Sequence, residues 1–420
     1  MSTTAAMAAT GPLQLAVIGA GPVGLCLALM AARRLPQAQI TVYDAQADDA
    51  AVACDARTLA LSLGTVQTLE RLGVWRDIAP RSAAIEAVHV SQQQPALLEL
   101  LRPGGQGVAR EPAVWIRARE LGVGQLGAVV AYGALTQPLR QAWRQLCETE
   151  PQRLAARFGV PVTALRPVAG GTEVDAGVVE RVDLAVVAEG GVFADQARKA
   201  VHRDYHQTAW VGRLRIEGGE AGVAFERFTP NGPAALLPLP LPFPHQPNEP
   251  AEIHEAALVW CVASDDDPVR ELNDAQRLTL LGTLFPAEVG RLVGLSPLKA
   301  FPLGLNAERS LVQGRTVRIG NAAQTLHPVA GQGLNLGLRD VHALVQRLAR
   351  EPDVDRALRQ VEWQRAPDRW AMIAATDFLA RSFTWQLPGL STVRGAGLAA
   401  VQRLPWVKRQ LAQRMMFGTR

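Results

Sequence analysis

Leu13-Gln-Leu-Ala-Val-Ile18 runs directly into Gly19-Ala-Gly-Pro-Val-Gly24, and that junction decides the fold. A short apolar run halted by glycine reads as a buried strand. Gly19 permits a tight turn, Gly21 lets the backbone approach a pyrophosphate, and Gly24 lets the following helix pack closely on the strand. Residues 25–34 then read as a helix, and Ile40-Thr-Val-Tyr43 as a second strand ending at Asp44. This β-α-β unit of about 30 residues opens a doubly wound sheet. The helix start offers unpaired N–H groups and about half a positive charge to phosphates. Asp44, 20 residues past Gly24, is spaced to accept hydrogen bonds from a ribose diol, and its charge disfavours a 2′-phosphate. The register therefore calls for FAD or NAD, not NADP.

Two more strands end in glycine: Val182-Asp-Leu-Ala-Val-Val-Ala188 before Glu189-Gly-Gly, and Arg315-Thr-Val-Arg-Ile319 before Gly320. Helices are expected over 58–75, 135–150, 333–350 and most of 354–417. Strands are expected across 81–118, interrupted by Pro103-Gly-Gly, and over 208–216, 223–228, 236–239 and 257–262, where alternation suits a mainly antiparallel sheet. The expected architecture is α/β. A Rossmann-type nucleotide domain (11–80, 106–200 and 300–352) carries an inserted substrate sheet (81–105 and 201–299), and a helical region (353–420) closes the chain.

Of the 420 residues, 48% are apolar and 20% charged, a globular balance with room for two or three domains. Cys26, Cys54, Cys147 and Cys261 form no Cys-x-x-Cys pair, which excludes a disulfide framework and a zinc finger and suits a reducing, cytoplasmic setting. The net charge of +4 is uneven: seven basic and no acidic residues follow Ala380, leaving the preceding chain at −3. Basic residues form no aromatic-interleaved stripe outside that tail, so nucleic acid is not an expected partner. Two uncharged stretches are not read as membrane spans. In 1–32 the glycines interrupt the apolar run, and in 228–248 seven prolines forbid a helix.

A second constellation follows the third strand: Gly320-Asn-Ala-Ala-Gln-Thr-Leu-His-Pro328, then Gly331-Gln-Gly-Leu-Asn-Leu-Gly-Leu-Arg-Asp340. Its glycines are too widely spaced for another dinucleotide fingerprint; it reads as a loop stiffened by Pro328 that runs into a helix near Gly333. Such a helix start can stabilise negative charge on a reduced flavin. This segment resembles the flavin-contacting loop of class A flavoprotein aromatic hydroxylases, and is especially similar to their ubiquinone-biosynthesis branch. Asp55-Ala-Arg57-Thr-Leu-Ala-Leu, Leu69-Glu-Arg-Leu-Gly-Val-Trp75, Gly232-Pro-Ala-Ala-Leu-Leu-Pro-Leu, Leu258-Val-Trp-Cys261 and Phe301-Pro-Leu agree in order along nearly the whole chain.

The resemblance implies a para-hydroxybenzoate-hydroxylase-like fold. It also implies a monooxygenase that uses FAD, NAD(P)H and O2 to hydroxylate a prenylated phenol of the 2-polyprenyl-6-methoxyphenol type, through a flavin hydroperoxide. Other ubiquinone-biosynthesis proteins are implied as partners. Gly19, Gly21, Gly24 and Asp44 would hold the ADP half of FAD, with Arg57 near the phosphate and ribityl region. Asn321 would sit at the ribityl link, Pro328, Gly331, Gln332 and Gly333 beside the flavin ring, and Asn335 on the next helical turn. From its own neighbours, Arg57 can also be read as a surface ion-pair partner of Asp55. The family pattern has Asp where Asn321 stands, a change typical of the ubiquinone branch, and Ala-Asp-Gly-x-x-Ser where this chain has Ala188-Glu-Gly-Gly-Val-Phe-Ala194. Two alternatives stay open: another aromatic substrate on the same fold, or, on the strength of that second departure, an inactive FAD-binding subunit of a biosynthetic complex. His327 is read as a structural histidine ahead of a catalytic base. His202 and His206 share a helical spacing but lack further metal ligands, and no metal is expected. The basic tail, with Trp385, Leu387, Leu390, Trp406 and Met415, reads as amphipathic helix. It either packs on the flavin domain or meets an anionic inner-membrane surface or a partner protein.

Overall fold

The computed structural model describes residues 11–93, 111–190, 197–240, 253–328, 331–382 and 390–418. Pro103-Gly-Gly, Gly191, Ala194, Pro242, Trp385 and Leu387 fall outside them, as do the side chain of Leu390 and the uncharged start of the chain through residue 10.

Six strands form the nucleotide-type sheet, in the order β19 (Val312–Gln313), β20 (Thr316–Arg318), β12 (Leu184–Val187), β1 (Gln14–Ile18), β2 (Gln39–Asp44) and β8 (Leu154–Phe158). All pairs are parallel except β19 with β20. Period-two alternation assigns the faces. Leu15, Val17, Leu184 and Val186 join the core under helices α1 (Pro22–Arg34), α5 (Tyr132–Thr149) and α7 (Gly333–Leu348). Ala16, Ile18 and Ala185 instead face a small sheet of β9 (Ala164–Val168), β10 (Gly171–Asp175) and β11 (Val179–Val182). Because α1 is wedged between the six-stranded sheet and helices α5 and α7, ten of its 13 residues are buried.

The second layer is a nine-stranded, mostly antiparallel sheet. Its order is β21 (Gln324–Thr325), β18 (Lys299–Ala307), β13 (Val201–Glu217), β16 (Ile253–Ala263), β15 (Gly232–Pro238), β14 (Val223–Thr229), β5 (Ala87–Gln92) and β6 (Ala113–Arg117), with β17 (Arg291–Leu295) also on β13. One face, with Trp210, Phe225, Leu258 and Trp260, packs against helix α6 (Asp274–Leu284), which Asn273 and Gln276 start with a capping box. The sheet extends past the boundaries read from the sequence. β6 and β18 hydrogen-bond within it, although the sequence division leaves both in the nucleotide domain; their alternation continues the same ladder across the intervening segments.

Two local readings are corrected. Residues 58–62 are not helix: β3 (Thr58–Ser62) pairs with β7 (Gly127–Ala131), which also pairs with β4 (Ser82–Ile85). The helix begins only at α3 (Leu63–Arg71), after Ser62 caps the N–H of Thr65, so tertiary pairing overrides a helix-compatible pattern. His202 and His206 lie on strand β13, not a helix, both exposed, with His206 at a bulge where φ is 51°. The short helices α2 (Asp49–Ala53) and α4 (Trp75–Ile78) flank this region, and α8 (Val354–Ser382), α9 (Leu390–Arg403) and α10 (Pro405–Phe417) end the chain.

Candidate functional site

The C-terminal ends of β20, β12 and β1 lie side by side, so three glycine-bearing turns meet at one edge of the parallel sheet. Gly19 has φ +104°, and a Cβ there would stand 2.6 Å from the Glu189 nitrogen. At Gly24 a Cβ would lie 2.0 Å from the Gly19 carbonyl oxygen, and at Gly190 2.4 Å from the Asn321 Cβ. These approaches explain glycine at the crossing points of the three turns. Gly21 is different: among the described residues only the Tyr132 hydroxyl comes near, 3.0 Å from a built Cβ, which leaves room on one side of the turn.

Helix α1 starts at Pro22 with no side-chain cap and no acidic residue in its first turn. Its first N–H groups are therefore offered outward. Asp44 joins them, accepting the Ala20 N–H at 2.5 Å and the Gln46 N–H at 2.7 Å. Arg57 pairs with Asp55 at 2.6 Å and also lies over the Tyr132 ring, 4.6 Å from its centroid, which puts it beside the Gly21 turn. The ion-pair reading of Arg57 is the one the contacts describe. Burial, followed by the charge of Asp44, raises the Glu189 carboxyl above its ordinary range.

At the second loop Gly331 has φ +57°, and its N–H donates to the Pro328 carbonyl at 3.0 Å, turning the chain into α7. Helix α7 also lacks a side-chain cap and first-turn acid. The Asn335 side chain is engaged by protein on both sides. Its Oδ1 accepts the Ser62 N–H and the Thr65 hydroxyl, each at 2.8 Å, while its Nδ2 donates to the carbonyls of Ala60 at 3.1 Å and Gly331 at 3.0 Å. That is the full capacity of the amide. Asn335 clamps the loop to β3 and α3, a different task from the cofactor contact the resemblance implies. His327 is buried, with Nε2 3.0 Å from the Gln207 Oε1 and its ring edge-on to Tyr205. Burial lowers its pKa to about 4, so the imidazole stays neutral near neutral pH.

Between this loop and the nine-stranded sheet lies a mainly apolar cavity of about 130 Å³. Pro328, Gly331 and Gln332 form one wall, Ala224, Glu226, Ala235, Leu237 and Val259 the opposite one, and Ala412, Met415 and Met416 of α10 a third. Sequence reading missed α10 as a wall, since nothing local marks which side of a C-terminal helix meets a sheet 180 residues earlier. Arg339 seats that helix by donating to the carbonyls of Arg414 at 3.4 Å and Met415 at 3.3 Å. A cation at a helix C-terminus also suits its dipole. Behind it, Arg365 joins the fully buried Asp340 at 2.7 Å and Asp368 at 2.8 Å.

The residues fit FAD: an uncapped helix start with an adjacent carboxylate for the ADP end, a second uncapped helix start for the ring, and glycines where a Cβ would block the turns. Residues 271–376 match the family described as FAD binding domain. Among solved structures, p-nitrophenol 4-monooxygenase PnpA of Pseudomonas putida superposes with TM-score 0.69 at 15% identity, covering 98% of this chain and 100% of that one. HpxO of Klebsiella pneumoniae, solved with FAD and uric acid, superposes with TM-score 0.64 at 17% identity, covering 97% and 98%. By class, the protein is an FAD-dependent monooxygenase. Ubiquinone hydroxylase UbiL of Rhodospirillum rubrum is 30% identical over 98% of this chain and 92% of its own length. The 3-demethoxyubiquinol 3-hydroxylase of Escherichia coli is 30% identical over 95% and 97%. The chain belongs to the ubiquinone hydroxylase family.

Proposed function

We propose that this protein hydroxylates a polyprenylated phenol, of the 2-polyprenyl-6-methoxyphenol type, in ubiquinone biosynthesis. The observation that carries this reading is the apolar cavity directly against Pro328, Gly331 and Gln332. Each methylene of a prenyl tail buried there adds about 0.8 kcal/mol to binding, so the tail supplies affinity while the ring supplies chemistry. When bound, FAD would supply the electrophilic oxygen, with NAD(P)H as reductant and O2 as co-substrate. Gly19, Gly21, Gly24, Asp44 and Arg57 hold its nucleotide end, and Asn321, Pro328, Gly331, Gln332 and Gly333 border the ring end. The chain's remaining task is to orient the phenol and exclude water, and the apolar walls with α10 as a cover suit both.

The six-stranded sheet and its helices form the FAD domain, and the nine-stranded sheet forms the substrate domain. Other ubiquinone-biosynthesis proteins are the natural partners, supplying one prenylated intermediate and accepting the next. Among the described residues no helix is long and apolar enough to cross a membrane. Trp406 and Val393 are each 67% exposed among basic residues of α9 and α10, which favours peripheral contact with the inner membrane.

The test is deletion of the gene followed by mass analysis of the accumulated quinone precursor. A prenylated phenol lacking one hydroxyl supports the reading. An unchanged quinone pool sinks it and favours a soluble aromatic substrate. Purified protein that binds FAD yet oxidises no NAD(P)H with any phenol would point to a non-catalytic subunit.

A further inference from the structure

An apolar cavity of about 150 Å³ takes a single benzene. At about 130 Å³, the chamber beside Pro328 has room for one aromatic ring and none for a prenyl tail attached to it. A tailed ring therefore has to displace a wall. The floor of the chamber is longer than the space open above it. Ala224 pairs with Val88 and Val88 with Ile116, and Leu237 continues the row on β15, since Leu236 pairs with Phe225. All four line the cavity. Three strand spacings make this apolar row roughly 14 Å long. Ala412 and Met416 of α10 pack in one cluster with Ala224 and Ile116, so the helix covers the row.

The sheet walls are held by ladders of hydrogen bonds, whereas α10 is lightly seated. Of its 13 residues only Ala412 and Met416 are buried, against ten of 13 in α1. A second cavity of about 80 Å³, with Thr65, Thr68 and Arg365 on its lining, also meets Met416 and undercuts the helix there. What fastens α10 lies at its two ends. At the start, Leu404 is extended, with φ −109° and ψ 90°, and separates α10 from α9. α9 is tied to β6, where the Trp115 N–H donates to the Gln402 Oε1 at 2.9 Å, and Lys408 pairs with Glu120 at 2.7 Å just past the joint. At the far end, Arg339 donates to the carbonyls of Arg414 and Met415 over 3.4 and 3.3 Å, which are long for such bonds. Asp368, 3.7 Å from Arg339, gives that guanidinium a partner when the helix leaves.

Resting on the prenylated-phenol reading above, we propose that the substrate's tail binds in a groove that opens under α10. The helix swings about Leu404–Pro405, Arg339 releases its two carbonyls, and the tail takes the place of Ala412, Met415 and Met416 over the row of Leu237, Ala224, Val88 and Ile116. The row exchanges one apolar cover for another, so the opening exposes little of it to water. A ligand shifts such an equilibrium only by binding the open state better, and the tail is the part of the substrate that does so. The ring occupies the chamber in either state, and a phenol without a tail binds with α10 shut.

The experiment uses FAD-loaded protein and two probes, 2-methoxyphenol and 2-methoxy-6-geranylphenol, whose binding to wild type is first measured by calorimetry. Opening is then read in Met416→Cys as the rate at which N-ethylmaleimide alkylates residue 416, followed by peptide mass spectrometry so that the native cysteines do not interfere. Saturating geranyl compound is expected to speed alkylation about tenfold or more over ligand-free protein, while 2-methoxyphenol leaves the rate unchanged or lowers it. Ala412→Cys, read in the same way, serves if the first variant does not fold. A geranyl compound that binds wild type more tightly than the bare ring yet speeds alkylation at neither cysteine overturns the groove under α10 and leaves the substrate reading standing. A geranyl compound that binds wild type no more tightly than the bare ring overturns the substrate reading and the groove with it.

Discussion

A single methyl group tests the nucleotide turn. Gly24→Ala places a Cβ 2.0 Å from the Gly19 carbonyl oxygen, and because backbone cannot yield cheaply, strand and helix must separate. The expected outcome is pale protein with little bound FAD and about 1–3 kcal/mol less stability, read by flavin absorbance and thermal melting. His327 makes a pH-dependent prediction. Its folded pKa of about 4 lies below the ordinary 6.5, so protons bind the unfolded state first. Its contribution to stability is present in full above pH 6.5 and is lost as pH falls toward 4, by roughly 3 kcal/mol over that window. His327→Asn should flatten this part of the stability curve in denaturant titrations between pH 4 and 7; a slope equal to wild type would refute the burial argument. The turn glycines and Asp44 were readable from residue type and spacing. Asn335 was readable as a position but not as a clamp, because its partners Ser62, Thr65 and Ala60 are some 270 residues away.

At the scale of elements, helices α7, α8 and α10 depend on one buried charge cluster. Arg365→Ala leaves Asp340 buried without its guanidinium partner, which costs about 3–5 kcal/mol; a leucine pair replacing both should be far milder, measured by urea unfolding. Truncation after Leu404 removes α10 and with it Ala412, Met415 and Met416 from the cavity wall. The expected result is retained FAD with NAD(P)H oxidation diverted from product to hydrogen peroxide, checked by the ratio of peroxide to hydroxylated product. The helix–strand error at 58–62 has the same origin as the missed wall. Thr58-Leu-Ala-Leu-Ser62 suits either state locally, and the deciding partner is β7, about 70 residues on.

For the molecule as a whole, charge and shape point the same way. Trp406, Leu404 and Leu411 are exposed on or beside the helix whose other face closes the cavity, and the exposed Arg409 stands among them, while Lys408 is held by Glu120. An anionic surface attracts such residues by about 1 kcal/mol each near the membrane. Vesicles containing anionic lipid should therefore sediment the protein, zwitterionic vesicles should not, and Arg409→Glu should weaken binding roughly tenfold or more, with salt acting in the same direction. Binding that ignores both lipid charge and salt would remove the membrane contact from the proposal. Docked this way, the apolar wall of α10 lies between a lipid reservoir and the cavity.

By itself the sequence determined the nucleotide-type sheet, its three glycine-ended strands, the acidic residue after β2 and the antiparallel layer, because each is written in short-range spacing and alternation. Tertiary structure alone decided which strand of the 58–75 segment pairs, which face of β14 carries Glu226, and that the last helix walls the cavity. Glu226 and Arg227 are adjacent charges in a strand, so period two sends them to opposite faces, but only packing against α6 on one side and the Pro328–Gln332 loop on the other says which faces which. Contacts between residues hundreds of positions apart leave no periodic trace in the chain that makes them.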